Sequence, residues 1–260
     1  MVGFVPTMGA LHQGHLSLIQ ACKKDNPVTV CSIFVNPAQF NNPADLQKYP
    51  RTPETDIAMM EKAGCDALFF PDTPVMYESE SIVRFDFGRL DKVMEGTHRP
   101  GHFSGVALVV SKLFHIVEPD HAYFGQKDWQ QFAIIRQLVK ELKFTVNLKS
   151  VPTMREPDGL AMSSRNMRLT SAQRLKAGLL YKALTNASEL LKKGSTIEEV
   201  KANVQRMLDQ DPEIKLEYFE AADSENLKLL NSVEGSTSPI LCIAAFVGEV
   251  RLIDNMFLSR

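Results

Sequence analysis

The sequence predicts an α/β protein, a Rossmann-like parallel sheet with helices on both faces followed by a smaller α+β C-terminal lid domain. Three observations carry that prediction. Through roughly the first 150 residues, short β-branched or aromatic runs alternate with helical patterns, the rhythm of a parallel sheet covered on both faces. The first such run breaks at Pro6 into a glycine- and histidine-bearing stretch, PTMGALHQGH. After about Pro152 the alternation stops, and a polar loop leads into two amphipathic helices and a cluster of strands. The domain boundaries expected are therefore 1–153 and 154–260.

The strands of the first domain are Val2 to Val5, Val28 to Val35, Ala67 to Phe70, Ala122 to Phe124 and Val146 to Val151. Two helical stripes lie among and after them. Phe103, Val106, Ala107, Val110, Leu113, Phe114 and Val117 recur at helical spacing, as do Trp129, Phe132, Ala133, Ile135, Leu138, Val139 and Leu142. Both read as core-facing. In the second domain helices are expected near Ser171 to Lys193 and Thr196 to Gln210. Two or three strands follow, Leu216 to Ala222, Ile240 to Phe246 and Val250 to Ile253. In open parallel sheets a ligand sits outside the carboxyl ends of the strands, where PTMGALHQGH falls after the first.

Composition narrows the classes. Of 260 residues, 44% are hydrophobic and 23% charged, an ordinary globular balance that argues against disorder. A net charge of -2 argues against nucleic acid as the main partner, because backbone-driven binding leaves a basic footprint. Cys22, Cys31, Cys65 and Cys242 show no Cys-x-x-Cys spacing, so reduced buried thiols are expected rather than a zinc or redox site. The longest apolar runs, such as Gly105 to Val110 and Ile240 to Val247, fall far short of the ~20 residues of a membrane span. No secretion signal opens the chain, so the cytoplasm is the expected location.

The chemistry-bearing residues cluster after the strands. In the first stretch Gly9 and Gly14 let the backbone turn tightly against a ligand. His12 and His15 are spaced to share one face at a helix start, where unpaired N–H groups and the helix dipole favour an anion. His-x-Gly-His after a strand is the signature of nucleotidyltransferases and class I aminoacyl-tRNA synthetases; the other reading is a loop with two surface histidines. NPAQF, Asn36 to Phe40, follows the second strand with amides that hydrogen-bond hydroxyls and carbonyls without serving as acid or base. FGQKDWQQ, Phe124 to Gln131, supplies Lys127, Asp128 and Gln131, with a solvated Lys127–Asp128 ion pair as the alternative. At the domain junction, Met162, Ser163, Ser164 and Arg165 resemble the Lys-Met-Ser-Lys-Ser loop of the same superfamily, and an Arg fork suits a polyphosphate. HRPGHF adds Arg99 as a further cation for the anion site, with His98 as a loop residue. No Ser/His/Asp set or acidic pair is persuasive, so the inventory suits nucleotidyl transfer by positioning and charge stabilisation.

PTMGALHQGH, FVNPAQF, YPRTPETD, RPGHFSGV, FGQKDWQQ, VPTMREPDGLAMSSRN and the terminal RLIDN together resemble the pantothenate synthetase (pantoate–β-alanine ligase) family, in order along nearly the whole chain. The resemblance implies a two-step reaction of ATP, pantoate and β-alanine through pantoyl adenylate, with magnesium and a homodimer. It assigns catalysis to His12, His15, Lys127, Ser163, Ser164 and Arg165. It assigns ATP to Pro6, Thr7, Met8, Gly9, His12, Gly14, His15, Gly125, Lys127, Asp128, Val151, Met154, Met162, Ser163, Ser164 and Arg165. Pantoate falls to Gln39, Gln131, Met8, Asn36 and Phe40, and a metal to Asp56. Two departures stand out: Met1 nearly abuts the first strand, as in a naturally short or truncated chain, and Gln126 stands where relatives often carry glutamate. Another adenylyl- or cytidylyltransferase remains the first rival, against which the pair Gln39 and Gln131 argues. A non-catalytic nucleotide sensor or RNA-binding module is the second, disfavoured by the near-neutral charge and the retained cations.

Overall fold

The computed structural model describes Met1 to Leu258. The first unit opens with β1 (Val2–Thr7), α1 (Gln13–Asp25) and β2 (Val28–Ile33), then a 3-10 turn, Pro37–Gln39. It continues through α2 (Pro43–Gln47), α3 (Pro53–Ala63), β3 (Ala67–Phe69), α4 (Thr73–Met76), α5 (Glu95–His98) and α6 (His102–Val117). β4 (His121–Gly125), α7 (Trp129–Leu142) and β5 (Asn147–Val151) complete it. The five strands form one sheet in the order β3-β2-β1-β4-β5, and every pairing is parallel. The chain runs outward from β1 to β3 and then returns to lay β4 on the other side of β1. That reversal makes the β1–β4 edge the topological switch point, the crevice where ligands bind in open α/β sheets.

Burial explains why the sheet holds this order. Val5, Cys31, Ile33 and Tyr123 pack with Leu18, Ile19 and Cys22 of α1 and Met60 of α3 in one cluster. Val106, Ala107, Val110, Leu113 and Phe114 of α6 are buried as their spacing requires. The α7 stripe is buried from Phe132 to Leu138, but its expected last member, Leu142, is 50% exposed. Leu142 ends its helix, where the turn that would have covered it stops. Three of the four cysteines are buried; Cys65 is only half-buried. A hydrogen bond from the Cys31 thiol lowers the Cys65 thiol below the usual thiol range.

The second compact unit comprises Lys127–Trp129 and the chain from Arg155 onward. Lys127–Trp129 thus belongs with it although sequence order places those residues within 1–153. It contains α8 (Ser171–Ala177), α9 (Leu179–Lys192), α10 (Ile197–Leu208), β6 (Ile214–Asp223), β7 (Pro239–Val247) and β8 (Val250–Phe257). The strands form an antiparallel sheet in the order β6-β7-β8. Leu180, Ala183, Leu184 and Ala187 of α9 and Val200, Val204 and Leu208 of α10 pack with Leu241, Ile243 and Ala245 of β7. The single helix expected over Ser171 to Lys193 is two helices parted at Gly178, where a Cβ would lie 2.9 Å from the Asp158 carboxylate.

Candidate active site

The elbow after β1 is built on two adjacent residues in the left-handed region, Gly9 (φ 77°) and Ala10 (φ 49°). Gly9 is required on steric grounds too, since a Cβ would come 2.9 Å from Asp56 Oδ2 and 3.1 Å from Ile33 Cγ2. Thr7, the last residue of β1, donates through Oγ1 to Ser32 O at 2.7 Å and accepts from Gly9 N at 3.2 Å. Beyond the turn, Ala10 N donates to Asp56 Oδ2 and Leu11 N to Oδ1, each at 2.8 Å. Thr52 Oγ1 adds a third bond, to Oδ1 at 3.1 Å.

Asp56 is 1% exposed and both its oxygens hold this loop. The family resemblance assigns Asp56 to a metal; in the structure its carboxylate accepts from Ala10 N, Leu11 N and Thr52 Oγ1, so a cation bound here would compete with the bonds that hold the loop. Among the described residues there is no group of three or more His, Cys, Asp or Glu side chains that could hold a metal. The residues do not fit a protein-held magnesium; a magnesium carried on nucleotide phosphates needs no such cage.

His12 caps α1. Its Nδ1 accepts from Gly14 N at 3.1 Å, while His15 Nδ1 accepts from His12 N at 3.2 Å, a reciprocal capping box made of two imidazoles. Their ring centroids lie 4.1 Å apart. A ring nitrogen that accepts carries no proton, so in the neutral rings both protons sit on Nε2, as donors. No acidic residue occupies the first turn of α1 itself; the carboxylate beside its start is that of Asp56. Gly14 makes no tight turn: it lies inside α1, where its N–H serves the His12 cap.

Beside the elbow, the Pro37–Gln39 turn packs against α6 so closely that a Cβ at Gly105 would run into the Ala38 carbonyl. Gln39, 7% exposed, accepts from Asn36 Nδ2 at 3.0 Å and donates to Met8 Sδ at 3.1 Å. Asn36 Nδ2 also donates to Gly105 O, and its Oδ1 accepts from Tyr77 Oη at 2.8 Å and Ala38 N at 3.3 Å. Asn36 thus spends its hydrogen bonds internally and orients Gln39 instead of offering its amide to a ligand. Phe40 packs edge-on against Tyr49 with centroids 5.8 Å apart. Arg99 is drawn into the same support. It pairs with Glu95 at 3.6 Å and donates to His102 Nε2 at 3.1 Å, which leaves Nδ1–H of His102 to donate to Gln39 O at 2.8 Å. Tyr77 and His102 were invisible to motif reading, although RPGHF contains the histidine. Gln131 is half-buried on the first turn of α7, Gly125 pairs with Val151 at the ends of β4 and β5, and Met154 is 41% exposed.

In the second unit Lys127 has a side chain 16% exposed and lies 3.5 Å from Asp128 Oδ2, the ion pair that stood as the alternative reading of both. Ser163 caps a 3-10 turn, Ser164–Arg168, by accepting from Arg165 N at 3.3 Å. Ser164 is buried, while Met162 and Arg165 are half-buried.

The loop after the first strand, the histidine cap and the amide turn are the geometry against which relatives can be compared. The family model described as pantoate-β-alanine ligase matches residues 1–257. The chain belongs to the pantoate–β-alanine ligase family. A pantothenate synthetase of Cytophaga hutchinsonii is 52% identical over 256 residues, covering 98% of this chain and 90% of that protein. One of Porphyromonas gingivalis is 48% identical over 255 residues, with the same coverage. The crystal structure of pantothenate synthetase from Thermus thermophilus superposes with a TM-score of 0.94 at 42% identity, covering all of this chain and 94% of that one. A pantoate-β-alanine ligase from Francisella tularensis, complexed with βγ ATP and β-alanine, gives a TM-score of 0.82 at 38% identity, covering all of this chain and 90% of that one. The parallel sheet and the smaller antiparallel sheet are those of this ligase family.

Proposed function

We infer that the protein condenses pantoate with β-alanine to pantothenate, consuming ATP and releasing AMP and pyrophosphate. The observation that supports the reading is the imidazole capping box at the start of α1, directly after the switch-point strand, whose Nδ1 atoms both accept and so place the protons of the neutral rings on Nε2. In the first step a pantoate carboxylate oxygen attacks the α-phosphorus of ATP, the bond to the β-phosphate oxygen breaks, and pyrophosphate leaves. The amine of β-alanine then attacks the acyl carbon, the bond to AMP breaks, and the amine proton passes to solvent.

Each residue has a part in this reading. His12 and His15 donate to phosphate oxygens as charge shifts to the leaving group. Pro6, Thr7, Met8, Gly9 and Gly14 shape the backbone around the nucleotide. Lys127, with Ser163, Ser164 and Arg165, neutralises the pyrophosphate. Asp128 and Gly125 meet the ribose, and Val151, Met154 and Met162 flank the adenine. Gln39 and Gln131 hold pantoate against Met8 and Phe40, with Asn36 acting through Gln39. Magnesium arrives on the nucleotide. A homodimer belongs to the same reading and rests on the family resemblance alone.

Isotope exchange between pyrophosphate and ATP tests it. Exchange should require pantoate and proceed without β-alanine, because the acyl adenylate forms before the amine is needed. Exchange driven equally by unrelated carboxylates, or none with pantoate from folded protein, contradicts it.

A further inference from the structure

The terminal RLIDN run has no part in the chemistry above, yet its last two residues sit in a buried polar network. Asp254 is 4% exposed and takes a bidentate fork from Arg155, Nη1 to Oδ2 at 2.6 Å and Nη2 to Oδ1 at 3.0 Å. Burial pushes the Asp254 carboxyl above the usual range while Arg155 pulls it down. Both of its oxygens face donors, so the geometry is that of a carboxylate.

Asn255 is fixed from both sides of its own backbone. Its N–H donates to Asp254 Oδ1 at 2.8 Å, and its carbonyl accepts from Arg155 Nη2 at 3.2 Å. What this leaves pointed outward from β8 is the amide side chain, whose Nδ2 donates to Lys127 O at 2.7 Å. Two residues on, Trp129 donates through Nε1 to Ser224 O at 3.0 Å and meets the Phe257 ring edge-on at 4.8 Å. The Lys127–Trp129 segment is thereby fastened to β8 and to the turn after β6.

We propose that Asn255, clamped by the Arg155–Asp254 pair, is the positioning residue for Lys127. The proposal rests on Lys127 being a phosphate cation. A lysine ends in a flexible four-carbon stem, so where its ammonium can reach is set by where its backbone is held. The donor that holds the Lys127 carbonyl is 5% exposed and comes from a residue 128 positions away in sequence. Arg155 also donates to Gly159 O at 3.0 Å and pairs across the loop with Ala161. The guanidinium that fixes Asn255 therefore also roots the loop carrying Ser163 and Arg165.

A double-mutant cycle on pyrophosphate exchange tests this, using wild type, Asn255→Ala, Lys127→Ala and the double variant. If Asn255 acts through Lys127, Asn255→Ala lowers exchange kcat about tenfold in the wild-type background and less than about twofold when Lys127 is already alanine. The KM for pantoate stays unchanged. Thr196→Ala, which removes the α10 cap in the same unit, controls for lost stability and should leave kcat unchanged. Should Asn255→Ala not fold, Asn255→Ser, too short to reach the Lys127 carbonyl, runs through the same cycle. Equal losses in both backgrounds, or wild-type kcat in Asn255→Ala, overturn the proposal. Wild-type exchange in Lys127→Ala overturns the reading of Lys127 itself.

Discussion

Gln39 is a buried amide whose hydrogen bonds within the protein leave part of its capacity unused. Its carbonyl oxygen is braced by Asn36 and one of its amide protons is spent on a weak acceptor, the Met8 sulfur. A second N–H and a second oxygen lone pair remain in its hydrogen-bonding capacity. Gln39→Leu keeps the volume and removes that capacity. Binding of pantoate should weaken by roughly 1 to 3 kcal/mol per lost bond, with ATP affinity spared. Titration calorimetry with each ligand checks it, and equal losses for both would remove Gln39 from the pantoate site. Sequence reading found this residue because an amide beside a proline turn is conspicuous. Asp56 was different. An acidic residue in YPRTPETD suggests a metal, and only the fold shows its carboxylate brought to the N–H groups of Ala10 and Leu11, across 46 and 45 positions of sequence.

At the scale of elements, the strands were legible to within a residue or two at most ends, because β-branched runs bounded by turn residues have few other readings. β8 was the exception. It continues through Asp254 and Asn255 to Phe257, polar residues that argue against a strand until their buried partners are known. The break at Gly178 was equally hidden; the close approach there of Asp158, itself paired to Arg174 at 2.6 Å, joins residues 20 positions apart. The elbow is the element on which the site depends. Gly9→Ala places a Cβ in a left-handed turn and against the carboxylate that braces the loop. Strain of this kind costs of order 1 to 3 kcal/mol, which should appear as reduced stability in denaturant unfolding together with slower adenylation. Unchanged stability and rate would show that the turn tolerates a side chain and that its geometry is not what places His12.

For the whole molecule, the sequence carried the fold class, a parallel sheet with a histidine elbow after its first strand followed by a smaller α+β unit. It did not carry the assignment of Lys127–Trp129 to the second unit, because that depends on contacts with Ser224, Asn255 and Phe257, all far along the chain. In the proposed reaction pantoate is activated by attack of its own carboxylate on the α-phosphorus of ATP. Pantoate labelled with oxygen-18 in both carboxylate oxygens tests this most directly. Turnover with ATP and β-alanine should deliver one labelled oxygen to the phosphate of AMP and leave the other in the amide carbonyl of pantothenate. AMP without label, or label found in pyrophosphate, would rule out carboxylate attack at the α-phosphorus.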